Sequence, residues 1–182
     1  LRSSFKAIGA DAVFTSDEKI IKSAHKILLP GVGAFEDAAK KLRDTGLGEV
    51  VVSQVKEGKP LLGICLGMQL LFEKSYEFKE CAGLGFIKGE VIKLIAGQTD
   101  KTYKIPHIGY NGIKTVNASP LLKDIPDGSC FYFVHSYMGV CKDRNQLAYT
   151  TDYGEEVTAV VASGNVYGTQ FHPEKSGENG LK

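Results

Sequence analysis

Residues 60–72 read Pro-Leu-Leu-Gly-Ile-Cys-Leu-Gly-Met-Gln-Leu-Leu-Phe, and this stretch decides the fold. The apolar run Leu61–Ile64 predicts a short buried strand. The apolar run Leu66–Phe72 predicts a helix that follows at once. Between them lies Gly-x-Cys-x-Gly, the pattern of a nucleophile elbow, in which a sharp turn from strand to helix exposes a reactive side chain. The sequence therefore predicts that Cys65 stands at such a turn.

The two glycines that flank Cys65 have a steric explanation. An elbow strains the backbone of its nucleophile, and side chains at Gly63 and Gly67 would crowd the turn. The sulfur would lie at the N-terminus of the following helix, where free N–H groups favour a thiolate. A buried core cysteine in a strand interrupted by glycines gives the same pattern. This stretch alone therefore leaves both interpretations open.

Residues 170–176, Gln-Phe-His-Pro-Glu-Lys-Ser, supply a base and a carboxylate. Pro173 disfavours a helical backbone at His172, which predicts an extended segment. In such a segment residues i and i+2 project from the same face, so His172 and Glu174 point together. A histidine that activates a cysteine and is oriented by a carboxylate is an arrangement for nucleophilic catalysis. On its own His-Pro-Glu is an ordinary polar loop, but together with the elbow it favours catalysis.

These two stretches resemble the class I (triad) glutamine amidotransferases, and most closely the glutaminase subunits of imidazole glycerol phosphate synthase. The resemblance covers nearly the whole chain in collinear order. It rests on the Cys65 and His172 stretches and on further segments, namely Leu29-Pro30-Gly31-Val32-Gly33-Ala34-Phe35, Pro106-His107-Ile108-Gly109-Tyr110-Asn111, Phe133-Val134-His135-Ser136-Tyr137 and Lys175-Ser176. It implies a flavodoxin-like three-layer α/β fold and hydrolysis of glutamine.

Within this reaction each residue of the set has an expected role. Cys65 attacks the side-chain amide, His172 transfers the protons, and Glu174 orients the imidazole. The resulting oxyanion needs backbone donors. We expect one to be the N–H of Leu66, and the others to come from the loop Gly31, Val32 and Gly33. Taken without the resemblance, that loop is better explained as a turn that ends a strand.

The resemblance also implies residues that bind glutamine and residues that contact a partner. The implied glutamine-binding residues are Gln69, Glu77, Ser136 and Tyr137, and the implied partner contacts are Tyr132, Lys175 and His107. Gln69 lies one helical turn after Cys65, hence on the same face. Taken singly, these residues would pass for an exposed helix residue, a solvated acidic residue, a strand tyrosine and a surface lysine. The default for His135 is a structural, hydrogen-bonded histidine.

The resemblance implies that the ammonia released from glutamine is used by a (β/α)8-barrel cyclase subunit, which makes imidazole glycerol phosphate in histidine biosynthesis. The alternatives are another glutaminase, of the anthranilate or GMP synthetase type, a stand-alone γ-glutamyl hydrolase, and a non-catalytic interaction module. Met68 argues against the anthranilate type, which usually has His there, and Leu66 against the GMP synthetase type. No cofactor is expected, and no metal, because the histidines lack ligand spacing.

Composition excludes several other classes. The hydrophobic fraction of 43% and the charged fraction of 24% are typical of globular domains. A net charge of +1 argues against nucleic acid and anionic membranes as partners. No apolar run approaches the ~18 residues of a membrane span. The four cysteines form no Cys-x-x-Cys pair, which suits reduced thiols and a cytoplasmic location.

The remaining segments predict a mixed α/β sheet, largely parallel with an antiparallel late portion, flanked by helices in one domain over residues 1–182. Helices are expected over 1–8 and 17–24, and as two segments over 34–56 that break near Gly46; strands are expected at 11–15 and 26–29. Later strands are expected at 86–88, 91–94, 107–116, 130–137, 146–151, 156–162 and 166–171. By resemblance, a first strand before Leu1 and a last helix after Gly180 are missing, so the domain is expected to be truncated at both ends.

Overall fold

The described strands form two sheets, which we analysed in a computed structural model that describes residues 1–99 and 102–182. The strands are β1 (Ile27–Gly31), β2 (Leu61–Cys65), β3 (Phe72–Ser75), β4 (Cys81–Ala82), β5 (Ile87–Lys93), β6 (His107–Thr115), β7 (Cys130–His135), β8 (Tyr137–Cys141), β9 (Leu147–Asp152), β10 (Glu156–Ser163) and β11 (Val166–Thr169). The helices are α1 (Arg2–Ala7), α2 (Glu18–Ser23), α3 (Phe35–Asp44), α4 (Leu47–Lys56), α5 (Leu66–Gln69), α6 (Ala96–Thr99) and α7 (Gly177–Leu181).

The larger sheet has seven strands in the order β1-β2-β11-β10-β9-β6-β7. β2 pairs in parallel with β1 on one side and with β11 on the other. The pairs from β11 through β10, β9 and β6 to β7 are antiparallel. The predicted mixed α/β fold, parallel early and antiparallel late, is therefore confirmed. A smaller sheet, in the order β4-β3-β5-β8, was not anticipated from the sequence.

Helix α5 crosses the ends of β1 and β2 at very short range, and glycines make this possible. A Cβ on Gly67 would lie 1.7 Å from the carbonyl oxygen of Leu29, and a Cβ on Gly63 would lie 2.6 Å from the carbonyl oxygen of Gly67. Both close contacts are with backbone atoms, which cannot turn aside as the end of a flexible side chain can. The predicted steric role of the two glycines beside Cys65 is thus confirmed.

The two helices that precede β2 follow the sequence pattern. α3 and α4 are separated at Gly46, whose φ of 71° is the left-handed conformation that glycine adopts without strain. α3 buries Phe35 and Ala39 against the largest core cluster, which also contains Leu61, Met68 and Leu71. The apolar face of this helix therefore covers the sheet beside the elbow.

Several predicted elements differ from the structure. The strands expected at 86–88 and 91–94 form the single strand β5, and the strand expected at 130–137 ends at His135, with β8 beginning at Tyr137. Residues 11–15 form no strand. Val13 and Phe14 are 66% and 53% exposed, and none of the described strands pairs with this segment. The helix expected over Leu66–Phe72 ends at Gln69, and Phe72 begins β3. Leu71 accepts from the N–H of Ile87 just ahead of the pairing of β3 with β5. Sheet pairing thus overrides the helical preference of this apolar run.

We predict that Gly67→Ala lowers the free energy of unfolding by about 3 kcal/mol or more, because the added methyl group would collide with the Leu29 carbonyl. Urea unfolding followed by circular dichroism measures this. Gly48→Ala in α4 is the matched control, since its Cβ would meet only ordinary contacts at 3.5 Å. It should change stability by less than about 1 kcal/mol. A Gly67→Ala protein as stable as wild type would contradict the close crossing.

Candidate active site

The ends of three parallel strands bring the predicted residues to one edge of the larger sheet. Gly31 at the end of β1 lies opposite Cys65 at the end of β2. On the other side of β2, Ile64 pairs with Thr169 at the end of β11. Because the carboxyl ends of parallel strands meet at the same edge, the loop after β1, the elbow and residues 170–174 converge there. Segments far apart in sequence thus form one site.

Cys65 has the backbone conformation expected of an elbow. Its φ of 54° and ψ of −112° make it the one non-glycine residue with positive φ among residues 1–99 and 102–182. Such a conformation costs free energy and persists only where the surroundings hold it. The close crossing at Gly63 and Gly67 supplies this restraint.

The sulfur of Cys65 is enclosed and hydrogen-bonded. The residue is 8% exposed, and its sulfur accepts from the backbone N–H of Leu66 and from Nε2 of Gln170, the latter at 3.7 Å. Burial raises the pKa of the thiol to about 11, and the charge of Glu174 adds to this rise, while the two donors oppose it. Burial thus opposes the thiolate expected at the helix N-terminus and favours the protonated thiol.

His172 and Glu174 are in contact, as predicted, but the backbone conformation that brings them together differs from the extended one predicted. Nδ1 of His172 lies 2.9 Å from Oε1 of Glu174. The segment is not extended through Glu174: Pro173–Lys175 forms a 3-10 turn, with extended backbone only at His172. Pro173 is well suited to the first position of a helical turn, so the turn, and not strand geometry, brings the two side chains together. Oε2 of Glu174 is buried and has no hydrogen-bond partner among the described residues.

The main chain around His172 is fixed from both sides. Its N–H donates to the carbonyl of Tyr132 at 2.9 Å. The Ser176 hydroxyl donates to the carbonyl of His172 at 2.7 Å and accepts from the N–H of Tyr132 at 3.0 Å. Just before it, Phe171 is 1% exposed and stacks on Phe131, with ring centroids 4.2 Å apart. His172 is consequently anchored to β7 and to the core.

The loop that follows β1 lies beside the nucleophile. Gly31 packs so closely that its Cβ would lie 3.0 Å from the amide nitrogen of Gly67. Gly33 has a φ of 94°, and the intervening Val32 is 82% exposed. Loop and elbow are thus adjacent, as an oxyanion site requires. The roles of Gly31, Val32, Gly33 and Leu66 as oxyanion donors stay predictions.

Three of the four predicted glutamine-binding residues are linked by hydrogen bonds. Nε2 of Gln69 donates to the carbonyl of Tyr137 at 2.9 Å, and the Tyr137 hydroxyl donates to the carbonyl of Glu77 at 3.0 Å. Oε2 of Glu77 accepts from the N–H of Phe35 at 2.6 Å, so this carboxylate caps α3. Ser136 lies between β7 and β8, directly before Tyr137. The structure therefore brings these residues into one region, and their binding role stays a prediction.

His107 is not at the surface, contrary to its predicted place at a partner interface. Its side chain is 0% exposed and stacks on Tyr153, with ring centroids 3.8 Å apart. It lies within hydrogen-bond distance of Asn111 at 2.8 Å and of His135 at 3.1 Å, and Nδ1 of His135 lies 2.8 Å from the carbonyl of Tyr137. Burial lowers the pKa of His135 to about 3, so this histidine is neutral and structural, as its default interpretation held.

The other two predicted partner contacts lie together at a partly open face. Nζ of Lys175 lies 5.4 Å from the ring centroid of Tyr132. The hydroxyl of Tyr110 donates to the carbonyl of Lys175 at 2.7 Å, and its ring packs edge-on to Tyr132. Tyr110 and Ile108, on the same strand as His107, are 62% and 57% exposed. Beside His107 on β6, the exposed side chains are therefore Ile108 and Tyr110.

Two residues with evident contacts were missed in the sequence. Gln170 is fully buried and bonds both Cys65 and Gln69, and Ser176 fixes His172. The first had a signal: Gln170 precedes His172 by two positions, and in an extended segment such residues share a face. Ser176 lies in a segment that carries the family resemblance, but no local pattern gave it a role, because that role depends on the turn at Pro173–Lys175.

Comparison with known proteins assigns the family. The model of the family "Glutamine amidotransferase class-I" matches residues 5–181. The chain therefore belongs to the class I glutamine amidotransferase family, and the resemblance inferred from its motifs is confirmed. It is accordingly an enzyme of the glutamine amidotransferase class.

Two curated relatives that match most of the chain carry the same name. The chain is 47% identical over 182 residues to the imidazole glycerol phosphate synthase subunit HisH of Caldanaerobacter subterraneus, with 100% of this chain and 87% of that protein covered. It is 49% identical over 171 residues to the protein of the same name from Geobacillus sp., with 93% of this chain and 81% of that protein covered.

Solved structures support the fold. A crystal structure of a glutamine amidotransferase matches with a TM-score of 0.72 at 18% identity, covering 99% of this chain and 87% of the other. The PurLQS structure from Thermotoga maritima matches with a TM-score of 0.70 at 21% identity, with the same coverage. These identities are low, so the two structures bear on the fold alone.

Within residues 1–99 and 102–182, no helix is both long and apolar enough to cross a membrane. The same part of the chain contains no group of three or more His, Cys, Asp or Glu side chains placed to hold a metal ion.

We predict that iodoacetamide modifies the exposed Cys130 well before Cys65 at pH 7.5, because burial holds the pKa of Cys65 at about 11. Below that pKa the thiolate fraction rises about tenfold per pH unit, and the rate at Cys65 should follow it. Mass spectrometry of the cysteine peptides measures both rates. Modification of Cys65 as fast as Cys130 at neutral pH would contradict the protonated, enclosed thiol.

Proposed function

We propose that this chain is the glutaminase subunit of an imidazole glycerol phosphate synthase, hydrolysing L-glutamine and passing the ammonia to a cyclase subunit. The observation that carries the proposal is the meeting of Cys65, the Gly31–Gly33 loop and the His172–Glu174 pair at one sheet edge. The names of the relatives, which match over the whole chain, support the choice of synthase. No cofactor is needed for this chemistry.

In the proposed reaction the thiol of Cys65 gives its proton to His172 as the sulfur attacks the carboxamide carbon of glutamine. A C–S bond forms, and the carbonyl oxygen becomes an oxyanion. The C–N bond then breaks as His172 returns the proton to nitrogen, which releases ammonia and leaves a γ-glutamyl thioester. Water then gives a proton to His172 and attacks the thioester carbon. The C–S bond breaks, His172 returns the proton to the sulfur of Cys65, and glutamate is released. A raised thiol pKa suits this scheme, because proton transfer accompanies attack.

Glu174 stabilises the charged imidazole in both halves of the reaction. Its Oε1 lies 2.9 Å from Nδ1 of His172, so Nε2 is the nitrogen that exchanges protons. The oxyanion would be bound by the N–H of Leu66, which donates to the resting sulfur, and by an N–H of the Gly31–Gly33 loop. A peptide rotation in this loop, permitted by its glycines, would make hydrolysis depend on the partner.

The proposed contact with the cyclase is the face formed by Tyr110, Tyr132 and Lys175, together with Ile108. Lys175 directly follows Glu174, so the partner would lie close to the proton-transfer pair. Two of these side chains are more than half exposed and apolar or aromatic. Such residues are typical of protein interfaces.

The proposal is tested by measuring ammonia release from glutamine by the chain alone, and then with a barrel cyclase and its nucleotide ligand. We expect weak activity alone, strong stimulation by the liganded cyclase, and loss of activity in Cys65→Ala. High activity that ignores the cyclase would instead indicate a stand-alone γ-glutamyl hydrolase. If the folded protein released no ammonia under any of these conditions, it would be a non-catalytic module.

We predict that Glu174→Gln lowers kcat about 10²- to 10⁴-fold, because the imidazolium loses the carboxylate that stabilises it. The cyclase-stimulated glutaminase assay measures this. Glu178→Gln is the matched control, since Glu178 is an exposed carboxylate four residues on, in α7, and should leave kcat unchanged. Equal kcat values for the two variants would remove Glu174 from the mechanism.

A further inference from the structure

Gln170 is buried between the nucleophile Cys65 and Gln69, one of the predicted glutamine-binding residues. It has no exposed surface, and its backbone N–H donates to the carbonyl of Ala159 at 2.9 Å. Its side chain contacts two functional residues at once: Nε2 lies 3.7 Å from the sulfur of Cys65, and Oε1 lies 3.0 Å from Nε2 of Gln69. The elbow and the segment before His172, 105 positions apart, are thus joined by one amide.

The carbonyl of Tyr137 determines which groups donate and which accept along the hydrogen-bond chain from Tyr137 through Gln69 and Gln170 to Cys65. The carbonyl of Tyr137 can only accept, so the amide of Gln69 must present its NH2 group there. The second hydrogen of that NH2 group is then available to Oε1 of Gln170. Gln170 must therefore turn its own NH2 group towards Cys65. One backbone carbonyl thus determines that the sulfur receives a donor and not an acceptor.

We infer that Gln170 is a positioning residue of the reaction: its amide orients the sulfur of Cys65, favours the thiolate, and ties the nucleophile to Gln69. This role rests on the proposed function, because it concerns the same thiol. The Gln170 hydrogen bond opposes the rise in the pKa of Cys65 that burial causes. A donor directed at sulfur becomes stronger as negative charge develops there.

The same chain limits what Gln69 can offer to a substrate. Both hydrogens of its NH2 group are used, by Tyr137 and by Gln170, so its free group is the acceptor Oε1. Gln69 would accordingly accept from an N–H of bound glutamine and could not donate to its carboxylate. Any shift of Gln69 on binding is passed to Gln170 and hence to the sulfur. Occupation of the pocket and orientation of the nucleophile are thereby coupled.

The test is the pH profile of Cys65 alkylation by iodoacetamide in Gln170→Met, read by mass spectrometry of the Cys65 peptide. Methionine keeps the length of the side chain and removes the donor. We expect the midpoint to move up, so that alkylation at pH 9 slows about three- to tenfold. Gln54→Met is the matched control: Gln54 is also buried and hydrogen-bonded, to Glu57, away from the site, and the profile should not move.

A higher pH midpoint of Cys65 alkylation indicates that Gln170 positions the sulfur. A variant that is merely less stable would open the site, and Cys65 would then be alkylated faster. In the cyclase-stimulated assay Gln170→Met should also raise KM for glutamine and lower kcat together, since Gln69 loses its acceptor. An unchanged alkylation midpoint in folded Gln170→Met would overturn the inference. The alkylation profile does not depend on glutamine hydrolysis. If the proposed function were wrong, the wild-type protein would be inactive with glutamine, yet Gln170→Met would still show the expected shift in the alkylation midpoint.

If Gln170→Met does not fold, the inference is tested by nuclear magnetic resonance of the Gln170 side chain in protein that retains this residue. The Nε2 hydrogens of Gln170 should change chemical shift in Cys65→Ala, and in the wild type as the pH approaches 11. Side-chain resonances of Gln54 serve as the reference. Gln170 resonances indifferent to both changes would overturn the inference.

Discussion

The structure depends on the close crossing of α5 over the ends of β1 and β2. The amide of Gly67 lies against the main chain of Leu29 with no room for a side chain, and this contact holds the turn in which Cys65 has positive φ. A strained conformation of this kind is stable only where packing over-determines it. The two parallel pairs of β2 complete the restraint, since they fix the strand that leads into the turn. The position of the nucleophile is therefore a property of the sheet and not of a loop.

Around this fixed point the polar groups form a continuous buried chain. It runs from Asn111 through His107 and His135 to the carbonyl of Tyr137, and from there through Gln69 and Gln170 to the sulfur. Buried polar groups are costly when unpaired, so each member specifies the orientation of the next. The outer end lies on β6, the strand that carries the exposed Ile108 and Tyr110. One polar network thus connects Asn111 on β6 with the nucleophile at the end of β2.

The sequence predicted the elements whose signals are local. The glycines beside Cys65, the break at Gly46 and the succession of parallel and then antiparallel strands all follow from short patterns. What it could not predict depends on distant partners. The run Leu66–Phe72 looks helical until β5 pairs with its last residue, and His107 looks like a surface residue until Phe133, Tyr153 and His135 enclose it. Burial likewise raises the pKa of Cys65 and so opposes its expected ionisation, an effect that no short motif encodes.

The order of the strands in the larger sheet has a consequence for biosynthesis. β2 carries the nucleophile, but its neighbour β11, which leads to Gln170 and His172, comes more than 100 residues later. A chain emerging from the ribosome at about 5–20 residues per second exposes Cys65 several seconds before the segment that encloses it exists. During that interval the thiol lacks both its proton acceptor and its burial. Enclosure of the nucleophile therefore has to wait until β11 pairs with β2.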